Sequence, residues 1–251
     1  MSPGWHRGLI ELRQSLTQPA ELFNHCFWPT LMLITLYFMR GHAALLPSIL
    51  GMNAAMGMVT MSQGLTADRE DGTLLRARAT PNGLREYLRG KIISVSGGLL
   101  VDLTIFLVPA LLIVRDLPSV DVGTVLWVLG LGLLATLPLG AILGALLPTA
   151  RGQGLLTLPI LAVIGISGIF YPITALPGWL QSMAQIFPVY WLGLGMRTAF
   201  LPTEAGHPLA TAAVLAAWAV AGLVLAPRVL RERLIGQHRV QPSRAGRVQA
   251  R

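Results

Sequence analysis

Side chains able to ionise, attack or ligate are scarce in this 251-residue chain, which has 11 Asp and Glu, five His and one Cys. The histidines (His6, His25, His42, His207 and His238) stand far apart, without the HExxH spacing that sets two imidazoles on one helical face for a metal. Cys26 is alone, so no disulfide forms within the chain. Gly90-Lys91 is the one Gly-Lys pair, but Ile92 follows it and Arg85 stands where the first glycine of a GxxxxGK phosphate loop belongs. No acid cluster suits Mg²⁺ beside a phosphate, and no nucleophile, base or metal ligands converge. The expectation is a non-enzyme, with no catalytic residue, cofactor site or metal site on this chain.

The acids that are present gather. Asp68, Glu70, Asp71 and Glu86 share the stretch Asp68–Lys91 with Arg69, Arg76, Arg78, Arg85, Arg89 and Lys91. Thr80-Pro81-Asn82-Gly83 is a strong turn signal. The stretch therefore reads as two short polar helices, the first with acids early and bases late, as the helix dipole prefers. A second locus is Asp102, an isolated carboxylate in an apolar run. At such depth it needs a partner, and His25 or Asn24 are candidates. It serves either as a structural hydrogen-bond acceptor or in handling cargo or protons. A third is the row Asn53, Gly57, Thr60 and Gly64, which falls on one helical face with Met52, Met56, Met58 and Met61 around it. That face is either a helix-packing seam or, with Asp102, part of a substrate path, since methionine adapts to varied apolar cargo.

The elements that hold these residues are apolar. Hydrophobic residues make up 53% of the chain and charged residues 12%, about half the ~25% of a soluble domain. Mean hydropathy is +0.63. These values exclude a free globular enzyme, a disordered tail and a coiled coil, and point to a membrane protein. Spans are expected at about 22–40, 43–66, 92–114, 122–147, 153–171 and 208–227, six in all. Residues 172–201 carry Pro172, Pro177 and Pro188 with Trp179, Tyr190 and Trp191, and read as short helices lying in or dipping into the outer interface. The Gly140/Gly144 spacing in the fourth span favours close helix contact. With the N-terminus inside, all of the 19 Lys and Arg except Arg40, Arg115 and Arg197 fall on the inner side. The net charge of +8 is thus a topological signal rather than a nucleic-acid footprint. Both ends are expected in the cytoplasm. Residues 1–230 form one transmembrane domain, and 231–251 a basic tail that rests on anionic lipid or is disordered. The start of the chain lacks the order of regions of a cleaved signal peptide.

The loop resembles that of the type 2 ABC transporter permease family, whose segment between spans 2 and 3 runs roughly E-R-E-x-G-T-L-E-x-L-x-x-T-P and then Gly-Lys. Arg69, Glu70, Gly72, Thr73, Leu74, Thr80, Pro81, Gly90 and Lys91 match in register, and Asp68 replaces the first Glu. Gln18-Pro19 and Trp28-Pro29 look like the family's lead-in to span 1. Phe170-Tyr171-Pro172, Leu176 to Leu180, Phe187-Pro188 and Arg197 look like its extracellular segment. Leu75 departs from a common Glu, and Ala77 and Arg78 from common apolar residues, which bears on the detailed contacts of the loop helix.

The resemblance implies an all-α permease of six transmembrane helices in the cell (inner or plasma) membrane. It implies an amphipathic coupling helix between spans 2 and 3, seated in a cytoplasmic ATPase. Asp68, Arg69, Glu70, Gly72, Thr73, Leu74, Arg76, Thr80 and Pro81 are the expected ATPase-coupling residues. Partners would be two copies of an ABC ATPase subunit carrying ATP and Mg, a second permease copy or sister permease, and membrane lipid, with no nucleic acid. The implied activity is export of drug-like or other amphipathic cargo by alternating access, with antibiotic resistance as one outcome. Lipid or polysaccharide export by the same family is the alternative. An ion-coupled secondary transporter predicts more intramembrane acids and a repeat of spans than this sequence shows.

Overall fold

The computed structural model describes residues 3–38, 45–113, 120–146, 153–169, 173–201 and 206–240. Ten α-helices account for most of them, with a 3₁₀ turn at Ile173–Ala175 and no strand among the described residues. They are α1 (Pro3–Ser15), α2 (Pro19–Phe38), α3 (Leu45–Glu70), α4 (Thr73–Arg78) and α5 (Gly83–Ile113). They continue with α6 (Val122–Leu146), α7 (Gln153–Ile166), α8 (Gly178–Ile186), α9 (Pro188–Phe200) and α10 (Pro208–Val240). Helix pairs the backbone amides and carbonyls of its interior within the segment, which an apolar solvent demands.

Among the described residues, four helices are long and apolar enough to cross a membrane: Leu45–Glu70, Gly83–Ile113, Val122–Leu146 and the stretch Pro208–Arg233 of α10. They coincide with the expected second, third, fourth and sixth spans. Helix α2 occupies the expected first span and α7 part of the fifth. The outer ends of those two segments, with Arg40, Arg115, Arg151 and Phe170-Tyr171-Pro172, lie outside the described residues, as does the tail beyond Val240. Helices α2, α5, α6, α7 and α10 run through Pro29, Pro109, Pro138, Pro159 and Pro227.

Helix α6 lies at the centre, packed along α3 on one side and α10 on the other, while α1 and α2 lie along α5. The α3–α6 seam depends on glycine. A Cβ on Gly140 would stand 2.3 Å from the Met58 carbonyl oxygen, and one on Gly144 2.7 Å from that of Ser62. The Gly140/Gly144 spacing therefore marks the close approach of two backbones, which replaces the hydrophobic driving force that lipid removes. Gly222 does the same for α10, facing the ring of Pro138. At its start α6 is capped by Asp121, which accepts from the Thr124 amide at 3.1 Å and the Thr124 hydroxyl at 2.8 Å. Those bonds hold the Asp121 carboxyl below the usual carboxylate range.

The structure departs from the expected layout in three places. Asp68 and Glu70 belong to the last turn of α3, not to the start of the loop helix, which is only Thr73–Arg78. The second loop helix is not separate: Gly83 to Lys91 is the first part of α5 and runs unbroken into its span. Between the two, Asn82 adopts φ 57°, as the turn signal requires. Residues 173–201 divide their roles. Helix α8 exposes Trp179, Met183 and Ile186, whereas α9 is almost wholly buried among α3, α6 and α10. Arg197, counted among the outer charges, is only 6% exposed and donates to the Gly168 carbonyl.

The α3–α6 seam makes a direct prediction. Gly140→Val should destabilise the protein by about 1–3 kcal/mol, the usual cost of overpacking a close contact. Thermal unfolding in detergent reads this as a lowered midpoint, and an unchanged midpoint would show that the seam tolerates a side chain.

Candidate functional site

Lys91 is the hub of one end of the bundle. The residue is 7% exposed. The ammonium lies 3.0 Å from Asp68 at the end of α3 and also pairs with Glu11 of α1. The Tyr87 hydroxyl donates to the same Asp68 carboxylate at 2.5 Å. Arg7 of α1 lies over the Tyr87 ring, 4.6 Å from its centroid, a cation–π contact. A buried ammonium is tolerable only when paired and hydrogen-bonded, and here the pairing joins α1, α3 and α5. Glycine lets α1 come close enough. A Cβ on Gly8 would be 2.6 Å from the Gly90 carbonyl oxygen, and the Gly4 amide donates to Glu86 Oε2 at 2.9 Å.

This explains why acids stand at the end of α3, where the helix dipole disfavours them. Asp68 is held there by Lys91 and Tyr87 across the helix pair. Arg69, the next residue, donates to the Ala145 carbonyl at the end of α6 at 3.1 Å. It thereby satisfies one of the carbonyls that a helix leaves unpaired at its C-terminus.

Helix α4 sits against this corner. Gly72 turns the chain into it with φ 73°, a conformation that costs glycine nothing. Leu74 is fully buried and anchors it, while Leu75 is 44% exposed. Arg76, Ala79, Thr80 and Pro81 are exposed, with Thr73, Ala77 and Arg78 half-buried. The nine residues expected to couple to an ATPase therefore divide. Asp68 and Arg69 turn inward, Leu74 is the anchor, Gly72 makes the turn and Thr73 is half-covered. Glu70, Arg76, Thr80 and Pro81 reach the surface, where Leu75 joins them.

The row on α3 is unevenly covered. Asn53 is buried; Gly57 is covered by Leu99 and Leu137; Gly64 faces the Lys91 side chain. Thr60 is exposed and its hydroxyl donates back to the Met56 carbonyl. Asp102 is apart from them, paired with His25 Nδ1 of α2, whose Nε2 lies 3.1 Å from the Ser15 hydroxyl of α1. Of the two partners expected for Asp102, His25 is the one in contact. Gly98, one turn before Asp102, leaves room for the imidazole: a Cβ there would be 3.2 Å from His25 Cε1.

Sequence reasoning missed Glu11, Arg7 and Tyr87. Each is ordinary by itself, and Glu11 lies far along the chain from its partner. The available signal was Gly4 and Gly8 ahead of a Glu on a short amphipathic stretch.

Among the described residues the fold is an all-helical bundle, with four helices long and apolar enough to cross a membrane and a short helix joining two of them, as a multi-pass membrane protein has. The ABC-2 type transporter family model matches residues 9–201, most of the chain. The chain belongs to the ABC-2 type transporter family. Such a domain is the transmembrane part of an ABC transporter and works with an ABC ATPase subunit. No curated protein matches the chain significantly.

The corner predicts an asymmetry between its members. Lys91→Met leaves Asp68 and Glu11 facing each other without a counter-charge, and should cost about 3 kcal/mol, the low end for breaking a buried pair. Asp68→Asn keeps the Tyr87 hydrogen bond and the Glu11 pair and should cost less. Thermal midpoints of the two variants in detergent decide this, and equal losses would show that Lys91 is not the hub.

Proposed function

We propose that this chain is the permease half of an ATP-driven exporter, crossing the cell membrane six times with both ends in the cytoplasm. Two permease subunits, identical or sister, would enclose the path. A separate ATPase would dock on each. ATP binding would close the ATPase pair, and α4 would carry that movement into the spans, exposing cargo outward. The cargo class that fits best is amphipathic and drug-like, since aromatic residues are only 7% of the chain and the spans offer few polar groups to a long saccharide.

The observation that supports this most is the two-faced character of α4. Its buried side is fastened by Leu74, and it lies beside the Lys91 corner that links α1, α3 and α5. Its other side offers Leu75, Arg76, Thr80 and Pro81, with Glu70 beside them. Because α3 and α5 flank α4 in the chain, a push on α4 reaches two spans directly, and through Arg69 and Ala145 a third.

The surface residues are better probes than Arg69, whose loss disturbs packing as well. Leu75→Asp and Glu70→Lys should each weaken ATPase docking about tenfold, as expected for an interface residue worth about 1.4 kcal/mol. ATP-dependent transport in reconstituted vesicles should fall in parallel, with the thermal midpoint of the permease unchanged. Full coupling in both variants would overturn the assignment of α4.

A further inference from the structure

A cleft of about 430 Å³ opens at the same end of the bundle, between the α4–α5 turn and α10. Arg78, Arg85, Arg228 and Arg231 line it, together with Gly83 at the start of α5 and Pro227 of α10. No Asp or Glu is among its lining residues. Neither the coupling surface nor the Lys91 corner accounts for the guanidinium groups of Arg85, Arg228 and Arg231 around one cavity. We propose that this cleft binds the phosphate of an anionic phospholipid head group drawn from the inner leaflet.

Three features carry the assignment. Guanidinium groups bind phosphate oxygens in paired hydrogen bonds, and the positive end of the α5 dipole adds to them where Gly83 faces the cleft. The depth is right. On α10, Arg228 and Arg231 lie roughly 1.5 and 6 Å beyond Pro227 at 1.5 Å per residue, where the charge-free run of that helix ends. A head-group layer is about 5–7 Å thick on each side. The third feature separates a lipid from a free anion. Positions 220, 224, 228 and 231 fall on one face of α10. Val220 and Val224 on that face are 64% and 45% exposed. An apolar track therefore leads along α10 to the cleft, as acyl chains joined to a bound head group require. Basic pockets beside membrane helices on the cytoplasmic side bind anionic head groups by this chemistry.

The site has a structural consequence. Arg78 and Thr80 come from α4 and its turn, Arg85 from α5, and Arg228 and Arg231 from α10. A phosphate seated there clamps α10 to the loop that leads into α5.

The test uses the purified full-length chain in mild detergent. It is titrated with phosphatidylglycerol or phosphatidylcholine of the same acyl chains, with bound lipid read by native mass spectrometry. Phosphatidylglycerol should bind at least about tenfold more tightly. Arg85→Gln with Arg231→Gln should weaken it about thirtyfold, the effect of removing two arginines near an anionic surface. Arg85→Lys with Arg231→Lys should retain most of the preference. Equal binding of the two lipids by the wild-type chain overturns the proposal, and that comparison needs no variant to fold. A preference that survives the double Gln change also overturns it. Two further outcomes reassign the cleft: displacement of the lipid by equimolar glycerol phosphate would make it a site for soluble phosphate. Loss of ATPase binding in the double Gln variant, without loss of lipid, would make it a protein contact.

Discussion

An ammonium group buried between two carboxylates cannot be removed without leaving them facing each other uncompensated in a poor solvent, and Lys91 imposes that condition on one end of this bundle. Its partners come from α1 and α3, so the position of three helices is set by one side chain. The close approach that makes this possible is glycine's: Gly8 against Gly90, and Gly64 against the Lys91 stem. A larger residue at either place would separate the charges before it filled any space. The ionic lock and the glycine seams are thus one constraint seen from two sides.

The same constraint shapes the short helix that follows α3. Because Asp68 and Arg69 are both turned inward, one to Lys91 and one to the end of α6, the chain leaves α3 in a fixed direction. Gly72 then reverses it, and Leu74 pins the next turn. A six-residue helix has little stability of its own, so α4 owes its orientation to these anchors. That gives the exposed side of α4 a defined geometry relative to the spans, which a surface that transmits movement requires.

Much of this was legible in the sequence, for identifiable reasons. The membrane class follows from composition, and four of the spans from charge-free runs that are long and apolar enough to cross. The loop announced itself because four of the chain's 11 acids fall within it. Asp102 was conspicuous as a lone carboxylate in an apolar run, and the need for a partner led to His25. What was not legible is pairing across distance. Glu11 carries no local sign that it meets Lys91, and α1 is too short and polar to stand out as an element. The burial of Arg197 was hidden for a related reason: a charge near an interface in sequence carries no sign of what covers it. Only the packing of α9 into the bundle shows that its guanidinium is buried against the Gly168 carbonyl. The division of the loop motif into inward and outward residues was equally hidden, since matching residue types say nothing about which way each side chain turns.

The scarce charge of this chain is therefore used in two different ways at the same end. Around Lys91 the signs alternate and the groups are covered, which fixes helices in place. Around Arg228 and Arg231 the lining is basic and open, beside an exposed apolar face. The first arrangement is satisfied within the protein, while the second gathers positive charge from α5 and α10 that an anion from outside the protein would balance. Helix α4 and its turn lie between them, with Leu74 in the core and Arg78 and Thr80 at the cleft. A movement of α4 must then either carry the α10 side of the cleft with it or open the gap between them. The lipid leaflet enters the mechanics of the loop on the same footing as the packed helices.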